Sequence, residues 1–224
     1  MISPELPSEI ALLKKSEMKN IPITALFVDI GGILLTNGWD RYSRKQAATD
    51  FKLDWGEMEN RHQLNVAIYE EGKLALKEYL NRVVFYQNRP FTHAEFRRFM
   101  FSQSKPLPQM IELVKCLKAK YGLKVIVVSN EGRELNVYRI RKFKLYAFVD
   151  AFISSCFVHI RKPDAEIFRL ALDISQAPAQ QVIFIDNTLM FTQVAEDLGI
   201  KSILHMDYQT TYLKLASFGL LNIA

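Results

Sequence analysis

The apolar run Ile23-Thr24-Ala25-Leu26-Phe27-Val28, followed at once by Asp29-Ile30-Gly31-Gly32, constrains this chain more than any other stretch. Strands buried on both faces read as continuous Val, Ile, Leu and Phe, and open α/β sheets place their chemistry at the carboxyl ends of such strands. Here that end delivers a lone carboxylate and then two glycines. Gly31 and Gly32 allow a sharp turn and a close approach of backbone N–H groups to a ligand. A carboxylate in that place can be a nucleophile, a metal ligand or both. An Asp before Gly also serves as a plain turn or helix cap, so the rest of the chain must decide between the two.

Later runs repeat the pattern. Residues 124–130, 148–154, 181–187 and 201–205 read as buried strands. Between them, residues 108–120, 164–174 and 189–198 carry apolar side chains at helical spacing, and Gly199 stops the last of these. Strands alternating with helices predict an α/β fold, a doubly wound parallel sheet of Rossmann-like type. Residues 37–104 break the alternation: they are rich in Glu, Lys, Arg, Gln and Asn, show aromatics at helical spacing, and contain no convincing strand. They predict a small helical cap domain inserted after the first strand. The expected organisation is an N-terminal arm over 1–20, an α/β core over 21–36 and 105–224, and the cap over 37–104.

Composition narrows the class without choosing a function. The chain has 224 residues, a formal net charge of +5 and two cysteines, Cys116 and Cys156. Two cysteines in apolar surroundings suggest neither a disulfide framework nor a metal pattern, so a reducing cytoplasm is the expected location. No apolar run approaches the roughly 20 residues of a membrane span, and the N-terminus lacks the layout of a signal peptide. The densest basic cluster, Arg139, Arg141, Lys142 and Lys144, is interleaved with Ile140 and Phe143 and reads as a solvated helix face. Neither nucleic acid nor a membrane is an expected partner. The four histidines show no metal-ligand spacing and read as structural.

The chemistry-bearing residues recur where apolar strands run out. Asp29 ends the first strand, Ser129-Asn130 the next, Lys162-Pro163 precedes a helix, and Asp186-Asn187 ends the strand that starts at Gln181. The combination suits phosphoryl transfer. A carboxylate nucleophile approaching an anion needs nearby positive charge, which Lys162 supplies. Ser129 and the N–H groups after Asp29 and Ser129 can cradle phosphate oxygens. Mg²⁺ needs only one or two protein oxygens, which Asp29 and the Asp186-Asn187 pair can offer.

In these four motifs, in this order, the chain resembles the haloacid dehalogenase-like superfamily, in particular its capped phosphatase-type branch. The resemblance spans roughly residues 22–205. It implies that Asp29 is the nucleophile forming an aspartyl-phosphate. Ser129 would contact phosphate with Gly31, Gly32 and Asn130, and Lys162 would act in catalysis and phosphate binding. Asp29, Asp186 and Asn187 would hold Mg²⁺. Trp39 and Arg41, just after the first turn, are candidate substrate contacts from the cap. Two positions depart from the usual pattern. Gly31 stands where most phosphatases of the family carry a second Asp as general acid and base, although a subgroup similar to sugar-phosphate phosphatases has Gly there. Asn187 stands where a second acid is usual, and Phe191 follows where a polar residue is common.

The expected activity is Mg²⁺-dependent phosphomonoester hydrolysis of a small phosphorylated metabolite by a monomer or homodimer. Two alternatives stand beside it. A 2-haloacid dehalogenase would need the Asp, Ser and Lys but neither the second Asp nor a metal. A catalytically weakened relative would bind a phosphorylated ligand or a protein partner.

Overall fold

Short runs of β-branched and aromatic residues form five strands, β1 (Ala25–Val28), β2 (Lys124–Ser129), β3 (Ala151–Ser154), β4 (Val182–Asp186) and β5 (Lys201–Leu204). They make one wholly parallel sheet in the order β3-β2-β1-β4-β5. The computed structural model describes residues 22–221, so the expected N-terminal arm lies outside the described residues. Pairing sets Val28 of β1 beside Val127 of β2 and Ile185 of β4, which aligns the carboxyl ends of the three central strands. The chain leaves the sheet in opposite directions on either side of β1, and that switch point opens a crevice at the strand ends.

Period-two alternation splits the core into two layers. Leu26, Val28, Val125, Val127, Ile183 and Ile185 pack on one face with α5 (Pro108–Tyr121), which turns Met110, Leu113, Val114 and Leu117 inward. Ala25, Phe27, Ile126, Val128, Val182 and Phe184 pack on the other with α8 (Glu166–Ser175) and α9 (Leu189–Asp197). The expected strand from Phe148 begins only at Ala151. Leu145–Ala147 makes a 3₁₀ turn, and the Asp150 carboxylate accepts from the Val125 N–H in place of a ladder bond.

Between β1 and β2 the chain forms α1 (Arg41–Asp50), α2 (Trp55–Glu70), α3 (Leu76–Val83) and α4 (His93–Ser102). Asp40, Asp54 and Thr92 cap three of these helices, Thr92 within a capping box completed by Glu95. The insertion has its own apolar cluster, in which Trp39, Phe51, Phe91 and Phe99 surround the wholly buried Phe96. Two connecting chains join it to the sheet and bond to each other: Thr36 N–H donates to the Lys105 carbonyl at 2.9 Å, and Leu107 N–H to the Leu34 carbonyl at 2.9 Å.

The end of α2 is docked onto α7 (Ser155–Val158), the single turn after β3. Ser155 Oγ donates to the Glu70 carbonyl at 2.6 Å, and His159 Nδ1 lies 2.6 Å from the Glu71 carbonyl. Gly72 has φ of +68°, and a Cβ there would overlap the Cys156 carbonyl, so this contact demands glycine. The chain then passes through α6 (Arg133–Lys142) and ends the described residues with α10 (Tyr208–Ser217). Phe96→Ala should lower stability by about 3–5 kcal/mol in denaturant unfolding, the cost of an aromatic deleted from a closed core. A loss under ~1 kcal/mol would mean the insertion's cluster is not a packed core.

Candidate active site

Asp29 and Asp186 leave adjacent strands at the same level, and Lys162 lies between them. Its Nζ is 2.5 Å from Asp186 Oδ2 and 3.4 Å from Asp29 Oδ1. Lys162 and Asp186 have no side-chain exposure, whereas Asp29 keeps 14%. The rings of Phe184 and Phe191 flank the ammonium, with centroids 5.4 and 5.0 Å from Nζ. Phe191, the apolar departure in the sequence, thus forms part of the lysine's wall. Burial raises the Asp186 carboxyl to about 6, against the pull of Lys162 and with the push of Asp29.

Asn130 fixes the lysine from behind. Its Oδ1 accepts from the Lys162 N–H at 2.9 Å, and its Nδ2 donates to the Lys162 carbonyl at 2.9 Å. Both amide atoms therefore grip the backbone of the lysine-bearing loop, which makes Asn130 a positioning residue. Ser129, buried beside β1, has no hydrogen-bond partner for its hydroxyl among the described residues. Gly31 N–H likewise has no acceptor among them, because Gly32, Ile33, Leu34 and Leu35 make the bonds of the turn. Gly32 has φ of +73°, and a Cβ on it would overlap the amide of Asn187. That amide donates to Asn37 Oδ1 at 3.2 Å and closes the turn against the end of β4.

A cavity of about 260 Å³ opens in front of this group. Asp29, Gly31, Asn130, Lys162 and Asn187 line it from the strand ends; Trp39, Arg44, His62, Tyr69 and Glu70 line it from the insertion and its approach. Each cation on its wall has a carboxylate partner: Arg44 pairs with Glu59, Arg139 with Glu131, Arg161 with Glu70, and Lys162 with Asp186 and Asp29. Burial raises Glu131 to about 7 even with the Arg139 guanidinium against it. His62 is buried, 2.7 Å through Nδ1 from the Tyr79 hydroxyl, and desolvation lowers it to about 3, so it is neutral near pH 7. The buried Tyr69 hydroxyl lacks a hydrogen-bond partner among the described residues.

Of the residues singled out in the sequence, Asp29, Gly31, Asn130, Lys162 and Asn187 meet at the cavity wall; Gly32, Ser129 and Asp186 do not line it, Asp186 lying against Lys162, Gly32 against Asn187 and Ser129 next to Asn130 in the chain. Trp39 reaches the cavity but is chiefly an anchor, its indole N–H donating to Tyr79 at 2.8 Å and its ring set edge-on to Phe96. Arg41 does not line the cavity. It begins α1 on the exposed face with its guanidinium 6.0 Å from the Trp55 ring, and Arg44, one helical turn on, faces inward instead. Arg139, expected on a solvated face, is 1% exposed; Arg141, Lys142 and Lys144 are the exposed members of that cluster. Arg44, Glu70, Glu131, Arg139 and Arg161 were not found from sequence. Glu131 and Arg161 carried a local signal, their adjacency to Asn130 and Lys162.

The oxygens present fit a hydrated divalent cation. Both oxygens of Asp186 are engaged, Oδ2 by Lys162 and Oδ1 by the Thr188 N–H at 2.8 Å. Asp29 Oδ2 and the Asn187 carbonyl oxygen have no partners among the described residues. Among those residues no cluster of three His, Cys, Asp or Glu side chains is placed to enclose a metal. Mg²⁺, which keeps several waters and needs few protein oxygens, suits this set; a fully caged ion does not.

A haloacid dehalogenase-like hydrolase family model matches residues 23–199. A HAD family enzyme of Bacteroides thetaiotaomicron, solved with magnesium and inorganic phosphate, superposes with a TM-score of 0.68 at 19% identity, over 85% of this chain and 99% of that one. An L-2-haloacid dehalogenase superposes with a TM-score of 0.58 at 18% identity, over 80% and 83% of the two chains. Bifunctional epoxide hydrolase 2 of Sus scrofa is 29% identical over 118 residues, 51% of this chain and 21% of that protein. The chain spans between about a fifth and a third of the length of the curated relatives it matches. No helix among the described residues is long and apolar enough to cross a membrane.

His62 makes a pH-dependent contribution of definite sign. Its folded-state pKa lies below the unfolded value, so between about 6.5 and 3 the unfolded chain binds the extra proton and stability falls as pH drops through that window. His62→Gln should flatten the slope of unfolding free energy against pH across that interval. An unchanged slope would mean that His62 is already charged in the folded protein.

Proposed function

The chain belongs to the haloacid dehalogenase-like hydrolases, and we propose that within this family it is a Mg²⁺-dependent phosphomonoesterase acting on a small polar metabolite, a sugar phosphate or similar, through Asp29. The observation that carries this reading is the charge balance around Lys162: its ammonium is held between two carboxylates, while Asp29 keeps one unpartnered oxygen facing the cavity. Two like charges about 4 Å apart repel by roughly 4 kcal/mol at an effective dielectric of ~20. A phosphate dianion beside Asp29 therefore needs more positive charge than the paired walls supply. Bound at Asp29 and Asn187, Mg²⁺ would add that charge and draw density from the phosphoryl oxygens. The Bacteroides neighbour solved with magnesium and phosphate supports the same assignment.

The protein's own groups divide the remaining work. The Gly31 N–H and the Ser129 hydroxyl have unused protons for phosphate oxygens at the strand ends, and Lys162, held by Asp186 and Asp29, adds its positive charge beside them. Asp29 is the nucleophile, its Oδ1 oriented by the Ile30 N–H at 2.8 Å and its Oδ2 free. The Asn130 clamp and the Phe191 wall keep Lys162 between the acids while phosphate comes and goes. The wall residues Arg44, His62, Glu70, Asn130 and Arg161 suit a hydroxylated leaving group better than an alkyl halide.

A second reading, 2-haloacid dehalogenase, is favoured by one observation: the Asp29–Lys162–Asp186 group is compensated without a metal. The dehalogenase among the structural neighbours is consistent with it. A screen of phosphomonoesters with and without Mg²⁺, run beside halide release from 2-chloropropionate, separates the two. Phosphate release should require Mg²⁺ and should fall by on the order of 10⁴-fold or more in Asp29→Asn. Metal-independent halide release would select the second reading, and equal turnover by Asp29→Asn would rule out both.

A further inference from the structure

We propose that Glu70, delivered by the insertion, is the proton donor and acceptor that the cavity lacks at Gly31; this rests on the phosphomonoesterase reading. An alcohol leaving group needs a proton as its bond to phosphorus breaks, and Gly31 has no side chain to give one. Two carboxylates other than Asp29 and Asp40 reach the cavity wall, and their surroundings differ. Glu131 is locked: Oε2 lies 2.5 Å from Arg139 Nη1, and Oε1 accepts from the Gly132 N–H at 3.2 Å. Glu70 is held by one oxygen only. Arg161 reaches its Oε2 twice, from Nε at 3.0 Å and Nη2 at 2.7 Å, and Oε1 has no partner among the described residues.

The backbone of Glu70 is tied to the turn that follows β3. Ser155 Oγ holds its carbonyl, and the same Ser155 hydroxyl accepts from the Glu131 N–H at 3.0 Å, tying α2 to the loop after β2. In-line displacement puts the leaving oxygen on the far side of phosphorus from the attacking carboxylate. With Asp29 at the strand ends, that side of the cavity is the one the insertion supplies. The charged groups acting on Glu70 are Arg161 and Lys162 from the loop before α8 and Asp29 from the end of β1. Glu131 after β2 and the phenols of Tyr69 and Tyr79 also lie within its field. Burial is the largest influence and raises its carboxyl, which favours the protonated form a donor needs.

The sequence of bonds closes. Asp29 attacks phosphorus, the bond from phosphorus to the leaving oxygen breaks, and that oxygen takes the electron pair and the proton of Glu70 to leave as an alcohol. Glu70, now a carboxylate, takes a proton from water as the water oxygen attacks the phosphoryl group on Asp29. The Asp29 carboxylate is released with inorganic phosphate, and Glu70 is again an acid.

Leaving-group dependence tests this. Wild-type protein and Glu70→Gln are compared with Mg²⁺ on 4-nitrophenyl phosphate, whose phenolate leaves without a proton, and on glycerol phosphate, whose alkoxide does not. Glu70→Gln should lose about 10²–10⁴-fold in kcat on the alkyl ester. On the aryl ester it should show a burst of one equivalent of nitrophenol followed by slow turnover, because the second step still needs a base. Gly31→Asp in the Glu70→Gln background should restore turnover of the alkyl ester: a Cβ at Gly31 meets Asn37 Oδ1 at 3.5 Å, an ordinary contact. Equal losses on both esters with no burst and no rescue would make Glu70 a structural residue. A wild-type enzyme that cleaves the aryl ester and no alkyl ester would also overturn the proposal. Failure of the wild type on every phosphate ester would instead remove the phosphomonoesterase reading itself.

Discussion

The structure depends on one buried ammonium. Lys162, with no exposure, neutralises the equally buried Asp186 and reaches Asp29 at the cavity edge. Removing one partner from such a pair typically costs about 3–5 kcal/mol, because the other charge is left buried without compensation. That penalty ties distant parts of the chain to each other. β1 and β4 must be neighbours in register, the loop before α8 must be gripped by Asn130, and Phe184 and Phe191 must close over the lysine. The same grouping leaves Asp29, of its two carboxylates, as the one that keeps a free oxygen.

The second organising fact is that the cavity walls are paired throughout. Arg44–Glu59, Arg139–Glu131 and Arg161–Glu70 each pair a guanidinium with a carboxylate before any ligand arrives. The last two differ in what they join. Arg139 holds Glu131 and the carbonyl of Thr36, linking the loop after β2 to the chain that enters the insertion. Arg161 and Glu70 join the lysine loop directly to the end of α2. The insertion is thus attached to the site through the same residues that would meet a substrate, and its position bears on the chemistry as well as on access.

Much of this was legible in the chain. Asp29, Ser129, Lys162 and Asp186 sit where apolar runs give way to polar residues, and a parallel sheet collects strand ends into one crevice whatever lies between them. Three of the residues that escaped notice, Arg44, Glu70 and Arg139, lie on helices of the insertion or on α6, where a helical repeat fixes which face a side chain shares and leaves open what that face meets. Arg41 and Arg44 are both basic residues of one helix; only packing against Glu59 and Trp39 decides that Arg44 turns inward. Arg139 looked like its exposed neighbours Arg141 and Lys142 because nothing local announces a buried carboxylate eight positions earlier. Glu70 carried no signal beyond the polar break at Glu70-Glu71-Gly72.

Whether Asp29 carries the transferred group is tested most directly by rapid acid quench of the enzyme during turnover of 4-nitrophenyl phosphate with Mg²⁺, followed by peptide mass spectrometry. A phosphoryl group should appear on the peptide containing Asp29 and on no other, and should vanish as substrate is exhausted. Turnover with that peptide unmodified, or with the phosphoryl group on a different residue, would contradict the assignment of Asp29 as the nucleophile.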